Sequence, residues 1–488
     1  MKRFYQYGLL IFFLFSILYG KAQHQSVKER NLYDSITYHY YLESNWDSVI
    51  DISKEALYKG YDFYFLRMRL GLAYDYQRNF RLAEIQYKKA LNMVPSDINA
   101  AYYLYFSAIN GGRAAVANKK YESFAKEQQI SILKGLELVQ KSDTISHKYL
   151  IGSYVEMGTS FTDVEQHKDD IFLMDNSILS SEGDLRYQQN YFNLQLFGEL
   201  SPYVSWKASY ALHQIAGVTQ FQIKNYPISS APLEIIQHDG YGELSFFSGD
   251  GWNFSVEGQF LSYTKTATDF WIDSIGYSEP IVEEDSILVE EVFTEHQVYS
   301  YSNTDYVFNV SLSKKVNILD LTAFAAYGSI GQTQNPFQIG GEVSILPNGS
   351  YDLYLTNRLF WFHDDLDDRT IYKVIAGGKI YKKFGFEAAA TFGNIQYTKE
   401  LHQPIFYNWS DETKFKGDLM LSYRINPHLT LAARYQLTQK TGKYLRVEYD
   451  GISANTDFPG YYQREYKAGI DAYQFKQHFI LLSINWVF

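Results

Sequence analysis

The chain has 488 residues, enough for two or three domains, and no cysteine, which excludes a disulfide framework and any thiolate metal site. Its net charge of −11 is unevenly spread. The first 149 residues carry 20 Lys+Arg against 14 Asp+Glu and the rest 24 against 41, so two parts of different character meet near residue 148.

The first 22 residues read as a secretory signal. Lys2 and Arg3 form a basic start, residues 9–19 a short apolar core, and Gly20, Lys21 and Ala22 a small-residue flank before a cut at Gln23. A membrane-anchoring helix is the alternative, against which the apolar stretch is short for a bilayer. No run of ~18 apolar residues follows, so no further transmembrane helix is expected.

Residues 23–147 read as helical. Within 64–97, Leu70 and Gly71, then Tyr74, then Ala83, Tyr87, Ala90 and Pro95 describe two helices in close contact. Small residues let the helices approach, aromatic rings fill between them, and the proline ends the second. This resembles a tetratricopeptide repeat of 34 residues. Arg67 stands where that pattern has Trp. The windows 30–63 (Tyr40, Ala56) and 98–131 (Leu104, Ala117, Tyr121) are weaker copies. The resemblance implies a groove that docks a periplasmic protein; an ordinary helical bundle is the alternative.

From residue 148 to 488 the period changes to two. In 252–260, Trp252, Phe254, Val256, Gly258 and Phe260 alternate with Asn253, Ser255, Glu257 and Gln259; segments 415–425 and 428–437 behave alike. About fourteen such strands are expected. Short connections at 201–202, 248–251, 314–317, 347–350, 381–383 and 426–427 alternate with longer ones at 161–185, 213–233, 265–296, 331–336, 362–370, 398–413 and 438–473. That asymmetry is expected of an outer-membrane barrel with tight periplasmic turns and long outer loops. The fold class predicted is therefore α+β multidomain: a short helical repeat, then an antiparallel transmembrane β-barrel. The chain ends in FILLSINWVF, with Ile480, Leu482, Ile484, Trp486 and Phe488 on one face. That face is expected to touch lipid. The terminal Phe488, with Trp486, resembles the signal read by barrel assembly machinery.

The outer connections are acidic. Residues 161–185 hold seven acids, including Asp163 and Asp184, against Lys168, and 265–296 hold nine against Lys265. Solvation accounts for this; divalent cations bridging to lipopolysaccharide are a sharper possibility. A charge on the lipid face costs ~2–4 kcal/mol near the midplane, so ionisable strand residues are expected to point inward. The inward acids are Glu156, Glu199, Glu243, Glu257, Asp320 and Glu342, and the inward bases Arg358, Lys373, Lys379, Lys416, Arg424 and Arg434. Lys207, Glu387 and Asp418 break this segregation, with Lys379 and Glu387 a candidate pair. An acidic wall facing a basic wall would orient polar solutes in an open channel. Alternatively the charges pair and fill the interior, or a loop folds in.

The best catalytic candidate is FHDDLDDRT, where His363 stands with Asp364, Asp365, Asp367 and Asp368. It could activate water or hold calcium, but reads more plainly as a charged loop tip. No nucleotide-binding or zinc-protease motif occurs, and the basic residues lack the clustering nucleic acid demands. No enzyme activity, cofactor or metal is expected.

A periplasmic tetratricopeptide module ahead of an outer-membrane barrel resembles two groups: polysaccharide export porins and the YaiO-like barrel family. The resemblance implies a barrel that conducts or exports a polar solute or saccharide, with the repeats docking a periplasmic partner. A plugged barrel that anchors a periplasmic complex is the second expectation.

Overall fold

The computed structural model describes residues 27–142, 151–163, 178–223, 228–278, 289–330, 335–364, 368–381, 383–403, 405, 411–454 and 462–488. The expected signal, 1–22, lies outside the described residues.

Seven helices are described first: α1 (Val27–Leu42), α2 (Trp46–Tyr58), α3 (Tyr64–Tyr76), α4 (Phe80–Met93), α5 (Ile98–Asn110), α6 (Ala114–Ser123) and α7 (Lys126–Ser142). Asn45 and Asp97 cap α2 and α5 by accepting from the backbone N–H three residues on, which satisfies donors the first helical turn leaves free. Ala83, Tyr87 and Ala90 recur at helical spacing on α4 and are fully buried. They meet α3 where Gly71 leaves room: a Cβ there would lie 2.5 Å from the Tyr87 ring. Arg67 does not act as an aromatic filler. It is buried and binds Asp62 through Nε (2.7 Å) and Gln86 through a terminal nitrogen (2.6 Å), a polar clamp in place of packing. Asp75 on α3 accepts from Tyr87 on α4 and Ser107 on α5, both at 2.8 Å, and so ties three helices together.

Fourteen strands follow: β1 (Gly152–Thr162), β2 (Ile178–Ser201), β3 (Val204–Ile223), β4 (Ser229–Phe247), β5 (Trp252–Ser278), β6 (Val289–Val316) and β7 (Leu319–Ser329) in the first half. The second half comprises β8 (Phe337–Ile345), β9 (Leu353–His363), β10 (Asp368–Tyr381), β11 (Phe384–Phe392), β12 (Glu412–Arg424), β13 (Leu429–Ala454) and β14 (Tyr462–Val487). Each pairs antiparallel with its sequence neighbours, and β1 pairs with β14 from Gly152↔Val487 to Thr162↔Gln477, closing the ring. Closure leaves no unpaired edge at membrane depth, the condition for a sheet to span lipid.

The strands alternate as lipid outside and charge inside require. On β6, Tyr306, Phe308, Val310 and Leu312 are exposed, while Val307, Asn309 and Ser311 between them are buried. On β14, Leu482, Ile484 and Trp486 face out, and Phe479, Leu481 and Ser483 face in. Phe488 N donates to the Ile151 carbonyl at 2.7 Å, so the C-terminus is tied to the start of the first strand.

The strands run further than the sequence reading allowed. Residues 213–233 were expected to be a connection, yet β3 reaches Ile223 and β4 starts at Ser229. Much of 265–296 and 438–473, and the end of 161–185, is likewise strand; β5 has 27 residues and β6 has 28. About 9–11 residues cross the hydrocarbon. Beyond it no apolar face is required, so the alternation fades while the hydrogen-bonded ladder continues. Past Glu412, where β12 ends opposite Thr441, the freed edge of β13 takes β2, from Tyr444↔Gly183 to Glu448↔Ile178. This joins edges that are not neighbours around the wall. The acid of one expected loop also finds the lone base of another: Asp184 lies 2.6 Å from Lys265.

Candidate functional site: the charged barrel interior

All twelve charged residues expected to line the interior share the inward parity of their strands. They divide by depth. Glu199, Lys379 and Arg424 lie exposed at the short-turn end. Lys379 pairs there with Asp352, while Glu387 accepts from Tyr354 Oη at 2.5 Å; the expected pairing of Lys379 with Glu387 does not form, because the register sets Glu387 opposite Gly377. Asp320 accepts from Tyr351 Oη at 2.5 Å. The others lie deeper and are brought together.

On β4 and β5, Glu243 and Glu257 are direct cross-strand partners. On β9 and β10, Arg358 and Lys373 are also direct partners. Like charges directly opposite each other destabilise a sheet, so each pair needs opposite charge from elsewhere. Part comes from the wall. Lys207 lies 2.8 Å from Glu243 and Glu342 lies 2.6 Å from Arg358; on β12, Lys416 has its own partner in Asp418 at 3.5 Å.

The rest comes from residues 393–403, which follow β11. Gly393 has φ +105°, and a Cβ there would lie 2.8 Å from the Thr370 carbonyl, so the turn leaving β11 takes glycine. The segment then reaches β4, β5, β8, β9 and β10. A connection between β11 and β12 can touch these strands only by crossing the lumen. Gln338 on β8 clamps it with two reciprocal bonds, Nε2 to the Lys399 carbonyl (3.1 Å) and Lys399 N to Oε1 (3.2 Å). Ile395 and Leu401 pack with Phe324, Phe360, Phe362 and Ile371. Lys399 Nζ lies 3.5 Å from Glu257 and 4.9 Å from the centre of the Tyr241 ring. His402 Nδ1 lies 3.1 Å from Glu257 and 3.2 Å from Glu243, and its backbone N–H donates to Glu257. Glu400 lies 2.7 Å from Lys373 and 3.0 Å from Arg358.

The Glu243–Glu257 and Arg358–Lys373 pairs are therefore bridged by the segment rather than facing open water. Sequence reasoning missed Lys399, Glu400 and His402, which it placed in a connection. The apolar residues Ile395, Leu401 and Ile405 were the available signal, since a solvent-exposed loop has little use for them. Beside the segment a cavity of about 80 Å³ remains, lined by Glu156, Tyr191, His213, Asp239, Lys416 and Arg434 among others. His213 and Asp239 lie 3.3 Å apart there. The catalytic candidate is not assembled in this interior. His363 and Asp368 lie 2.8 Å apart, both exposed, while Asp364 is buried and faces Arg369 at 3.9 Å; Asp365 and Asp367 lie outside the described residues.

In the helical domain a cleft of about 650 Å³ is lined by Tyr38, Tyr41, Tyr64, Phe65, Arg69 and Tyr103 among others. Arg69 is held at 2.7 Å from Asp34, and its guanidinium lies over the Tyr38 and Phe65 rings.

A closed antiparallel barrel of fourteen strands, apolar outside and charged within, defines the outer-membrane β-barrel class. No protein-family model matches the sequence, and no curated protein matches it. Among solved structures it is similar to a FadL homologue of Pseudomonas aeruginosa (8% identity, TM-score 0.37, covering 69% of this chain and 90% of that one). It is also similar to the Ralstonia pickettii toluene transporter TbuX (8%, 0.30, 69% and 90%). A third is the outer membrane protease OmpT of Escherichia coli (9%, 0.22, 71% and 100%). At these scores the likenesses carry no argument about this chain.

Proposed function

We propose that the chain is an outer-membrane conduit for a polar solute or saccharide, shut in this state by residues 393–403. In this reading the helical domain is a periplasmic tetratricopeptide module, and its aromatic cleft docks a protein partner. One observation carries the conduit reading. Among the described residues one connection, 393–403, crosses the lumen, held by ion pairs, by the Gln338 clamp and by the packing of Ile395 and Leu401. Eight strands make a barrel that side chains can fill, so fourteen leave room for a path once the connection is displaced.

The test is ion conductance of the refolded full chain in planar bilayers. The parent protein should conduct little. In a Lys399→Glu, Glu400→Lys double variant, the carboxylate introduced at position 399 would face Glu257, and the ammonium introduced at position 400 would face Arg358 and Lys373. Both contacts become repulsive, and conductance should rise several-fold. Glu257→Lys and Arg424→Glu should then change the ion selectivity of the opened form.

The second reading is a plugged anchor for a periplasmic complex. The density of pairing on both walls favours it. A double variant that folds and inserts yet stays silent would support the anchor over the conduit. Deleting 24–147 should then abolish recovery of a partner protein while the barrel still inserts.

A further inference from the structure

Two like-charge pairs face the lumen, and two adjacent residues of one segment help to neutralise both. Lys399 goes to the Glu243 and Glu257 side, at 3.5 Å from Glu257. Glu400 goes to Arg358 and Lys373, at 3.0 and 2.7 Å. Cation and anion are thus delivered side by side, each to the wall of opposite sign. We propose that Lys399 and Glu400 occupy the recognition site of the barrel's solute, and that this solute is a zwitterion carrying an ammonium and a carboxylate on neighbouring units. The inference rests on the conduit reading for the word solute, but the site it describes can be tested apart from conductance.

The physical reason is specific to the wall. Each like-charge pair is held by the sheet register, so it cannot relax by moving apart. Removing Lys399 and Glu400 leaves Arg358 with Glu342, Glu243 with Lys207 and His402, and Glu257 with His402 alone among the described residues, while Lys373 loses its carboxylate. A purely anionic solute would satisfy Lys373 but be repelled by Glu257, and a cation the reverse. A molecule bearing both charges replaces both lost partners at once, its ammonium beside Glu257 and its carboxylate beside Lys373. Tyr241, whose ring lies beneath the Lys399 ammonium, adds a face for an organic cation.

The zwitterion could be a peptide or a saccharide, and two probes separate these sources. One is the blocked dipeptide acetyl-Lys-Glu-amide; the other is a disaccharide joining unacetylated glucosamine to glucuronic acid. Blocked Lys-Lys and Glu-Glu dipeptides are the single-sign controls. Binding is measured calorimetrically on the full chain refolded in detergent, for the parent and for Lys399→Gln, Glu400→Gln. At least one zwitterionic probe should bind the double variant tenfold or more tighter than it binds the parent, and tighter than either control. Whichever probe binds better names the source. Adding Glu257→Gln should erase the preference over the anionic control, and adding Lys373→Met the preference over the cationic one.

Equal binding of zwitterions and controls, or no binding at all, overturns the inference. Heat-modifiable mobility on gels establishes that each variant is folded. Should the double variant not fold, the single Glu400→Gln variant replaces it; with Lys399 still beside Glu257, the blocked Glu-Glu dipeptide should then bind tenfold tighter than it binds the parent, and no such gain overturns the inference. A variant that conducts without preferring zwitterions sinks the solute class and leaves the conduit. One that binds zwitterions but never conducts sinks the conduit and leaves the site.

Discussion

Arg358 and Lys373 stand directly opposite each other on β9 and β10, and one carboxylate, that of Glu400, reaches both. This relationship couples the fit of an outer connection to the stability of the wall. Removing one partner of a buried ion pair leaves an uncompensated charge, at a cost of about 3 kcal/mol or more. Glu400→Gln is therefore expected to destabilise the folded barrel by roughly that amount, with Glu342 still serving Arg358. Equilibrium unfolding in lipid vesicles measures it. An effect within ~0.5 kcal/mol, the range of ordinary surface substitutions, would mean the segment rests in the lumen without bearing on it.

The two faces of the wall should respond unequally to the same substitution. Leu482 on β14 is 59% exposed on the outer face, in the apolar row with Ile480 and Ile484. Leu482→Arg should cost ~2–4 kcal/mol in a bilayer. Gln436 on β13 faces the interior cavity, and Gln436→Arg should cost far less. Unfolding of the two variants in the same vesicles gives the comparison. Equal costs would contradict lipid contact on the Leu482 face.

How much of this was legible follows from what physics writes locally. Lipid forces an apolar residue at every second position, so the membrane-crossing parts of β5, β12, β13 and β14 stood out. The extensions did not, because water on the outer face removes that constraint while the backbone ladder persists. Phe415 and Leu419 announce a strand; Asp269 opposite Gln297 does not. The inward charges were legible one at a time, but their partners were not. Glu257 and Lys399 lie far apart in sequence, and no local pattern ties them. Gly71 was legible for the opposite reason: its partner Tyr87 lies one helix away and belongs to the same short repeat.

Gly71 gives a prediction for the helical domain. A methyl group there would lie 2.5 Å from the Tyr87 ring, which is itself fully buried and cannot swing away. Overpacking of this kind costs about 1–3 kcal/mol. Gly71→Ala, which otherwise favours helix, should lower the melting temperature of the helical signal at 222 nm in the full chain. A raised melting temperature would show that α3 and α4 can part without loss.

The pH dependence of the same domain turns on Asp75. Burial raises its carboxyl from 3.8 to about 6, against the hydrogen bonds from Tyr87 and Ser107 that favour the charged form. Burial also raises the Tyr87 hydroxyl, which therefore remains a donor throughout. Since the folded state holds the Asp75 proton to higher pH than the unfolded state, it binds more protons between about pH 4 and pH 6. Stability contributed by this group is therefore present below the unfolded value, falls as pH rises through that window, and stays low above it. This is the reverse of an aspartate held by a salt bridge. Asp75→Asn keeps an oxygen for Tyr87 and Ser107 but has no charge to bury. The difference in helical melting temperature between parent and variant, followed from pH 4 to pH 8, should shift progressively in favour of the variant and level off above pH 6. A difference that stays constant over that range would mean Asp75 ionises in the folded domain as it does in water.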